Sequence, residues 1–409
     1  MFRKRNVQRK SSGNSSSANK NFRGQGKRFS RPSRSRKSRS GQSQFSDVSK
    51  FINKAVPEKN VKPYTPKNSF DCFLIDENLK RNILKTGYKH PTPIQDQAIP
   101  HVLNGSDIVG IANTGTGKTA AFIIPLLDKV IKNRKQNIII IAPTRELAIQ
   151  INQELVKFAF GLRIFSVCAV GGMPIFRQIS DLRRNYNFII GTPGRVKDLV
   201  DRGHIPLEEF QTIVLDESDR MLDMGFINDM RFLMSAMPKN HQTLFFSATL
   251  SDDIKNIINN FLKDPISISV RVNDTASSVD QDVIYVKNEP KLDLLHNLLI
   301  QPEFNKVLIF GKTKLGVEKL SERLSIRGLK VKSIHGNKNH TQRQHALKLF
   351  KENTVNILVA TDVAARGLDI PNISHVINYE LPSTYEDYIH RIGRTGRGGK
   401  AGKALTFIG

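Results

Sequence analysis

The chain has 409 residues, two cysteines, no tryptophan and a formal net charge of +26 at pH 7. Because a single core stops growing at roughly 250–300 residues, this length predicts two folded domains. No apolar run approaches the roughly 20 residues of a membrane span, and polar residues follow the basic start of the chain. We therefore expect no membrane partner and no secretory signal. Cys72 and Cys168 stand far apart without a partner motif, which excludes a disulfide scaffold and a cysteine-based zinc site.

Residues 1–60 are predicted to form a disordered, Arg/Ser-rich basic arm. Residues 1–50 contain 15 Lys or Arg, 13 Ser and a single acid, so they carry +14 of the net charge. With so few aliphatic residues, this segment cannot bury enough apolar area to offset the entropy of ordering its backbone. The charge indicates a polyanionic partner, for which nucleic acid is the leading candidate. A solubility tail and an organelle transit peptide are the alternatives that the composition leaves open.

Two series of short apolar runs, mostly rich in Ile and Val, follow the arm. Amphipathic or loop stretches separate the runs, which lie at 108–111, 138–142, 188–190, 213–215 and 244–246 and then at 307–310, 331–334, 357–360, 376–378 and 404–407. Continuous apolar strands that alternate with helices are typical of parallel sheets covered on both faces. This α/β pattern predicts one domain at 61–270, a polar linker at 271–280 and a second domain at 281–409.

A glycine-rich loop follows the run at 108–111 and precedes a helical pattern. Gly115 and Gly117 let successive N–H groups turn toward a triphosphate, and Lys118 is placed to reach its β- and γ-phosphates. The hydroxyl of Thr119 is suited to coordinate Mg²⁺. The general pattern has Gly at its first position, where this chain has Ala. The predicted ATP-binding loop comprises Ala112, Asn113, Thr114, Gly115, Thr116, Gly117, Lys118 and Thr119.

A second metal ligand is expected in the acidic box at 216–219, Asp-Glu-Ser-Asp, which follows the run at 213–215. Asp216 is placed at the carboxyl end of a strand to bind Mg²⁺ through water, and Glu217 to orient or deprotonate the attacking water. An isolated acidic cluster is more often a solvated turn, but the phosphate loop upstream favours a catalytic role. The predicted catalytic residues of the first domain are Lys118, Thr119, Asp216 and Glu217.

Together these motifs resemble the DEAD-box ATP-dependent RNA helicases of bacterial type, and the resemblance covers residues 68–409. It implies two tandem RecA-like domains that bind ATP, Mg²⁺ and RNA. Residues 68–96 are similar to the family's Q motif, in which Gln95 would read the adenine edge and Phe70 and Tyr88 would pack near the ring. By the same likeness, Asp369 would contact the ribose.

The resemblance also assigns the γ-phosphate, RNA and coupling residues. Arg394 and Arg397 would act as arginine fingers from the second domain, because a guanidinium matches phosphate oxygens bidentately. Ser247, Thr249 and His390 would couple hydrolysis to strand separation. RNA contacts, directed to the backbone and largely independent of sequence, are implied for Pro143, Thr144, Arg145, Gly172, Thr192, Pro193, Gly194, Arg195, Thr313, Gly336 and Thr361.

Some positions depart from the family pattern. Ser218 stands where the family has Ala, and we expect little effect because both side chains are small and uncharged. Asn337 and His340 stand where Asp and Gln are usual, which bears on RNA contacts or polar links between the domains there and not on ATP binding. The chain stops at Gly409, where related chains usually continue with a helix, so a minimal or truncated form is one interpretation.

The leading hypothesis is an RNA-dependent ATPase in which ATP and RNA draw the two domains together for local duplex unwinding or RNP remodelling. A non-catalytic RNA clamp is the first alternative, and the intact catalytic residues argue against it. A DNA translocase is the second, and Gln95 together with the acidic box and Ser-Ala-Thr at 247–249 favours RNA instead. We expect a monomer in a bacterial cytoplasm, with ribosomal or other RNP partners as candidates; in a eukaryote the location would be nuclear or nucleolar.

Overall fold

The structure is a computed structural model that describes residues 51–54, 64–113, 115–270, 279–287, 289–365, 370–396 and 402–409. Within these ranges the chain forms two α/β domains, each built on one sheet: the first domain at 64–270 and the second at 279–409. Most of the predicted arm and residues 271–278 of the predicted linker lie outside the described residues. No described helix is long and apolar enough to cross a lipid bilayer.

The first domain contains a seven-stranded parallel sheet. Its strands are β1 (Ile108–Ala112), β2 (Ile138–Ile141), β3 (Ser166–Ala169), β4 (Phe188–Gly191), β5 (Thr212–Leu215), β6 (Gln242–Ser247) and β7 (Ile266–Val270). They pair in the order β3-β4-β2-β5-β6-β1-β7. In β2, Ile138 and Ile140 join the core on one face of the sheet, and Ile139 and Ile141 join the core on the other. A strand buried on both faces accounts for the continuous apolar run in its sequence.

Helices cover both faces of this sheet. They are α1 (Glu77–Lys85), α2 (Pro93–Leu103), α3 (Lys118–Lys132), α4 (Arg145–Phe158), α5 (Ile175–Leu182), α6 (Pro193–Asp201), α7 (Ser218–Asp223), α8 (Ile227–Ser235) and α9 (Asp252–Phe261), with short 3₁₀ turns at Phe70–Cys72 and Leu207–Glu209. Apolar residues of α1–α4 belong to one core, and those of α5–α9 belong to the other. This arrangement confirms the predicted class.

The second domain repeats the architecture with six parallel strands. They are β8 (Val279–Tyr285), β9 (Val307–Gly311), β10 (Val331–Ile334), β11 (Ile357–Thr361), β12 (His375–Asn378) and β13 (Gly402–Ile408), in the order β10-β11-β9-β12-β13-β8. The helices are α10 (Lys291–Leu299), α11 (Lys314–Ile326), α12 (His340–Lys351), α13 (Asp362–Ala365) and α14 (Tyr385–Ile392). Residues of β9 alternate between two cores, with Leu308 and Phe310 in one and Val307 and Ile309 in the other.

Residues 51–54, inside the range predicted as a disordered arm, pack against the second domain. Phe51 is buried, and its ring meets the ring of Tyr388 edge-on at 4.8 Å between centroids. The backbones of Asn53 and Gln281 exchange two hydrogen bonds, of 3.1 and 2.7 Å, in an antiparallel bridge to β8. Asn53 therefore adds one isolated bridge to the edge of the second sheet, and Phe51 anchors the segment beside it.

Candidate active site

Most of the residues predicted to bind phosphates or RNA follow the carboxyl ends of strands, where the loops of a parallel sheet meet. The phosphate loop follows β1, the acidic box follows β5, and Ser247 ends β6; these three strands are neighbours. The first-domain RNA motifs follow β2, β3 and β4. In the second domain, Thr313, Gly336 and Thr361 stand at the corresponding ends of β9, β10 and β11.

The phosphate loop binds the ammonium group of Lys118. Gly115 and Gly117 have φ angles of 84° and 92°, in the left-handed region that favours glycine. Lys118 is buried at the start of α3, and its Nζ donates a 2.8 Å hydrogen bond to the carbonyl of Ala112. Thr116 donates to the carbonyl of Asn113 at 2.8 Å. The lysine ammonium is therefore held inside the loop that is predicted to receive the phosphates.

Gln95 connects the Q motif to this loop. Its Oε1 accepts from the backbone N–H of Thr92, and its Nε2 donates to the carbonyl of Gly117, both at 3.0 Å. A Cβ at position 117 would collide with Nε2, so close packing also requires glycine there. Gln95 is fully buried, and these two hydrogen bonds fix the orientation of its amide. The predicted pairing of Gln95 with adenine stays a prediction.

The predicted adenine-facing aromatics belong to the core of the first domain. Phe70 is 1% exposed, and its ring meets the ring of Tyr88 edge-on at 6.3 Å. The hydroxyl of Tyr88 donates to Glu154 on α4 at 2.8 Å. Both rings are therefore fixed by packing, and their contact with adenine stays a prediction.

Asp96 is an organising residue that the sequence reasoning missed. Its carboxylate is buried and accepts hydrogen bonds from the hydroxyl of Tyr64 at 2.5 Å, the N–H of Lys67 at 2.7 Å and the side chain of Asn68 at 2.7 Å. Burial acts to raise the pKa of Asp96, but these hydrogen bonds outweigh it and lower the pKa. The same carboxylate thus fastens residues 64–68 to α2, which carries Gln95.

The acidic box holds two buried carboxylates side by side. Asp216 and Glu217 are both nearly inaccessible, and an oxygen of Asp216 accepts from the N–H of Glu217 at 3.0 Å. Burial raises the pKa of Asp216 to about 6, while the charge of Lys118 acts in the opposite direction. Glu217 has left-handed backbone angles (φ 52°, ψ 51°) and pairs with Arg220 at 2.8 Å. The structure therefore brings the predicted metal ligand and the predicted base together beside the lysine.

Asp219 connects the box to the Ser-Ala-Thr segment after β6. Its Oδ2 accepts from the N–H groups of Ala248 and Thr249 at 3.0 Å each and from the Thr249 hydroxyl at 3.3 Å. Ser247 in turn donates to the carbonyl of Thr249 at 2.8 Å. The two predicted coupling residues of the first domain thus belong to one hydrogen-bonded unit with the acidic box.

Three of the predicted RNA-binding motifs of the first domain meet at two arginines. The Arg145 guanidinium lies directly against Gly172, where any Cβ would collide with its Nη1. Arg195 donates to the carbonyls of Val170 and Met173 at 3.1 and 3.2 Å. The motifs after β2, β3 and β4 therefore form one positively charged surface.

Helix N-termini add backbone N–H groups to this surface. Thr144 caps α4 by accepting from Leu147 at 3.3 Å, and Thr192 precedes α6, which begins with Pro193. Exposed Gly194 occupies the first turn of α6. Such helix starts favour phosphate oxygens.

In the second domain, the residues that are predicted to contact RNA differ from one another in solvent exposure. Thr313 caps α11 and is exposed, as is Gly336, whereas Thr361 is buried at the end of β11. A Cβ at Gly336 would lie 3.1 Å from Cε of Lys314, so a basic side chain covers this glycine.

An ion pair connects the two domains beside the first-domain residues that are predicted to bind RNA. Arg343 on α12 lies 2.9 Å from Glu146 on α4, and both side chains are largely buried. Burial lowers the pKa of Arg145, and the nearby charges of Arg343 and Arg195 act in the same direction. Three arginines from two domains therefore share one region, which favours a polyanionic ligand.

The block at 390–397 contains both a structural arginine and a predicted finger. Arg391, which the sequence reasoning did not single out, makes a bidentate pair with Asp362 at 2.5 and 2.7 Å and also donates to Asn378 and the carbonyl of Glu380. Arg394 is buried and lines a small pocket with His390. His390 also interacts electrostatically with Asp219 of the first domain. The predicted roles of Arg394 and His390 stay predictions, and Thr114, Asp369 and Arg397 lie outside the described residues.

Comparison with known proteins identifies the family. The first domain matches the family model described as DEAD/DEAH box helicase over residues 92–257. The second matches the helicase conserved C-terminal domain over residues 290–399. The chain therefore belongs to the DEAD/DEAH box helicases.

Curated relatives and solved structures agree with this assignment. The chain is 44% identical to the DEAD-box ATP-dependent RNA helicase CshA of Bacillus cereus (strain ATCC 10987 / NRS 248), over 82% of this chain and 64% of the relative. It is 46% identical to CshA of Bacillus subtilis (strain 168), over 83% and 69% respectively. It thus spans slightly less than two thirds of the length of the first of these relatives.

Two solved structures of related proteins show the same fold. The first is S. cerevisiae Dbp5 bound to RNA and ADP BeF3, which is 31% identical with a TM-score of 0.74, over 83% of this chain and 89% of that one. The second is Mss116p bound to ssRNA and AMP-PNP, also 31% identical, with a TM-score of 0.76 over 86% and 76%. This likeness supports two tandem RecA-like domains.

Proposed function

We propose that this protein is an RNA-dependent ATPase that uses ATP binding and hydrolysis for local unwinding of RNA duplexes or remodelling of RNPs. The observation that carries the proposal is the hydrogen-bonded unit formed by Asp219 with residues 248 and 249. This unit joins the carboxylates beside the phosphate loop to the Ser-Ala-Thr segment, so a change at the nucleotide can be transmitted away from it. Family membership and the likeness to an RNA-bound yeast structure support the choice of substrates.

Lys118 is proposed to bind the β- and γ-phosphates. Its present acceptor is a neutral carbonyl, and phosphate oxygens form stronger, charge-assisted hydrogen bonds. Glu217 is proposed to take a proton from the attacking water. The water oxygen bonds to the γ-phosphorus while the bond from that phosphorus to ADP breaks, and ADP leaves with the electron pair. Arg394 and Arg397 are proposed to stabilise the charge on the transferred group from the second domain.

Mg²⁺ is proposed to bind at Asp216 and Thr119. The residues fit such an ion, because Asp216 is a buried carboxylate whose pKa burial raises, and a bound cation would compensate its negative charge. The Thr119 hydroxyl next to Lys118 adds an oxygen of the hard type that Mg²⁺ prefers. When bound, the ion would supply positive charge to the phosphate oxygens.

The Asp-Glu-Ser-Asp form of the box is proposed to be a functional variant. Ser218 is fully buried, and its hydroxyl donates to the carbonyls of Leu215 and Phe246 at 3.2 and 3.1 Å. A buried hydroxyl that is hydrogen-bonded is tolerated in a core position. RNP partners, a monomeric state and a cytoplasmic location stay predictions.

Steady-state ATPase activity tests the proposal with no nucleic acid, with a single-stranded RNA and with DNA of the same sequence. We expect strong stimulation by RNA alone, and at least about a 100-fold lower turnover in Lys118→Ala, since a lost charge at a reacting phosphate has effects of this size. Lys135→Ala, which removes an exposed lysine from the loop after α3, is the matched control. Equal stimulation by DNA would favour a translocase, and RNA binding without turnover would favour a clamp.

A further inference from the structure

Arg220 forms a buried ion pair with Glu217, the base of the proposed function. The two residues are three positions apart, at the start of α7, and Arg220 Nη1 lies 2.8 Å from Glu217 Oε2. The side chains are only 2% and 6% exposed. The pair is thus almost completely removed from water, unlike the exposed arginine pair of Arg202 with Asp198 on α6.

A buried ion pair is weak evidence for a role in stability. Removing two charges from water costs free energy that their mutual attraction often fails to recover, and apolar residues of similar volume frequently stabilise a fold as well or better. The position of Arg220 is therefore better explained by what its guanidinium does to the carboxylate of Glu217.

Arg220 also fixes the backbone of Glu217. Its N–H donates to the carbonyl of Glu217 at 3.1 Å, and the N–H of Met221 donates to the same carbonyl at 3.2 Å. Glu217 has a positive φ, which is unfavourable for a side chain with a Cβ and persists only where neighbouring contacts determine it. The main chain of residues 220 and 221 therefore holds the carbonyl of Glu217, and the guanidinium of Arg220 holds its carboxylate.

We propose that Arg220 is a positioning residue for ATP hydrolysis. It occupies Oε2 of Glu217 and fixes the carboxylate in one orientation, so that Oε1 is the oxygen that meets the attacking water. It acts through Glu217 and does not itself contact the reacting atoms. The inference rests on the proposed role of Glu217 as the base.

Steady-state ATP hydrolysis with saturating RNA tests this role. Arg220→Met keeps an unbranched side chain but removes the guanidinium, and we expect the rate at saturating ATP to fall by about 10- to 100-fold, since small misplacements of a reacting group have effects of this size. The KM for ATP should change less than about threefold, because the phosphate loop is intact. Arg220→Lys restores the charge without the planar guanidinium and should recover part of the rate. Arg202→Met, at the exposed pair, should leave the rate unchanged.

A double-mutant cycle separates positioning from general damage to the fold. If Arg220 acts through Glu217, adding Arg220→Met to Glu217→Gln should lower the residual rate by less than about twofold. The double variant also removes both charges of the pair, so it remains testable if Arg220→Met alone unfolds. Thermal unfolding and binding of a fluorescent ATP analogue verify that each variant is folded.

Wild-type hydrolysis by Arg220→Met, or an equal loss in both backgrounds of the cycle, would overturn the inference while leaving the proposed function intact. Normal hydrolysis by Glu217→Gln would instead overturn the proposed role of Glu217, and this inference with it.

Discussion

Ser218, the third residue of the acidic box, offers a direct test of how the box tolerates variation. Its hydroxyl donates to two strand carbonyls in a fully buried position. Ser218→Ala removes these hydrogen bonds without adding volume. We expect unfolding free energy to fall by about 0.5–1.5 kcal/mol, the net value of a typical hydrogen bond, and turnover to stay within about twofold of wild type. Urea unfolding and RNA-stimulated ATPase rates measure the two quantities.

Substitution of the neighbouring carboxylate Glu217 should instead affect turnover and leave folding intact. Glu217→Gln should fold normally but stall hydrolysis, since it replaces the proposed base. A tenfold loss of turnover in Ser218→Ala would show that the hydroxyl takes part in the chemistry, contrary to the expectation from its two carbonyl partners.

Residues that carry chemistry could be identified from the sequence where their motif is contiguous. Lys118 and the box at 216–219 each follow an apolar strand, so their placement at one edge of a parallel sheet was predictable. Asp96 and Arg391 were missed because their partners lie far away in the chain: Tyr64 for Asp96 and Asp362 for Arg391. Arg220 directly follows the box in the sequence, and this position next to Glu217 could have identified it as a candidate partner of that carboxylate.

At the scale of elements, the interior strands were predictable and three edge strands were not. Each of the ten predicted apolar runs overlaps a strand, whereas β3, β7 and β8 were missed. All three lie at the ends of their sheets. Strand β7 reads Ile-Ser-Ile-Ser-Val with alternating burial, since its outward face contacts solvent. A continuous apolar run is a property of strands covered on both faces, so it does not identify edges.

The segment at 51–54 shows the same limit of sequence patterns. Phe51 alone anchors it, and one buried side chain within a polar region gives no periodic signal. Phe51→Ala removes a buried ring that packs on Tyr388 of α14. We expect the second domain to lose about 3 kcal/mol, near the lower bound for truncating a buried phenylalanine. Amide exchange should accelerate in β8 and α14, which the segment contacts.

Ile52→Ala is the matched control for this prediction. Ile52 is adjacent in sequence but 48% exposed, so its truncation should change stability by less than about 0.5 kcal/mol. Equal rates of amide exchange in Phe51→Ala and Ile52→Ala would mean that the segment does not stabilise the second domain.

Glu318 on α11, which contacts residues on both sides of Gly336, gives an element-scale prediction for pH. Burial acts to raise the pKa of Glu318, but hydrogen bonds from Ser333, His335 and Lys338 outweigh it and lower the pKa to about 2. A carboxyl whose pKa is lower in the folded state stabilises the fold above its unfolded pKa, about 4.3, and loses this contribution as pH falls toward the folded pKa. The stability difference between wild type and Glu318→Gln should therefore narrow as pH falls from 5 to 3.

The midpoints of urea unfolding, measured between pH 5 and 3, give the difference in stability between wild type and Glu318→Gln. Glu322→Gln, an exposed position on the same helix, should show no such narrowing. A difference for Glu318→Gln that does not depend on pH would contradict an electrostatic role for the cluster.

At the scale of the whole molecule, the arrangement of the two domains depends on pairs that no local pattern encodes. Glu146 lies in a first-domain motif that is predicted to bind RNA, and Arg343 lies almost 200 residues later on α12. On the nucleotide side, burial acts to raise the pKa of Asp219, and Lys118 and Arg220 of the first domain and His390 of the second all act to lower it. The sequence identified the motifs on each domain, but which side chains meet between the domains depends on how the two domains pack together.

The basic arm makes the last prediction at this scale, and it rests on charge alone. Deleting residues 1–50 removes +14 of the net charge and retains Phe51. We expect weaker RNA binding and a smaller dependence of log K on log salt, since the slope falls by about 0.7 for every phosphate on a single strand that the protein no longer neutralises. A full-length variant with the arm's Arg and Lys replaced by Gln separates charge from length and should match the deletion. Affinity titrations between 50 and 200 mM salt measure the slopes, and a slope equal to that of wild type would leave the arm as a solubility tail, because no phosphate would then be neutralised by it.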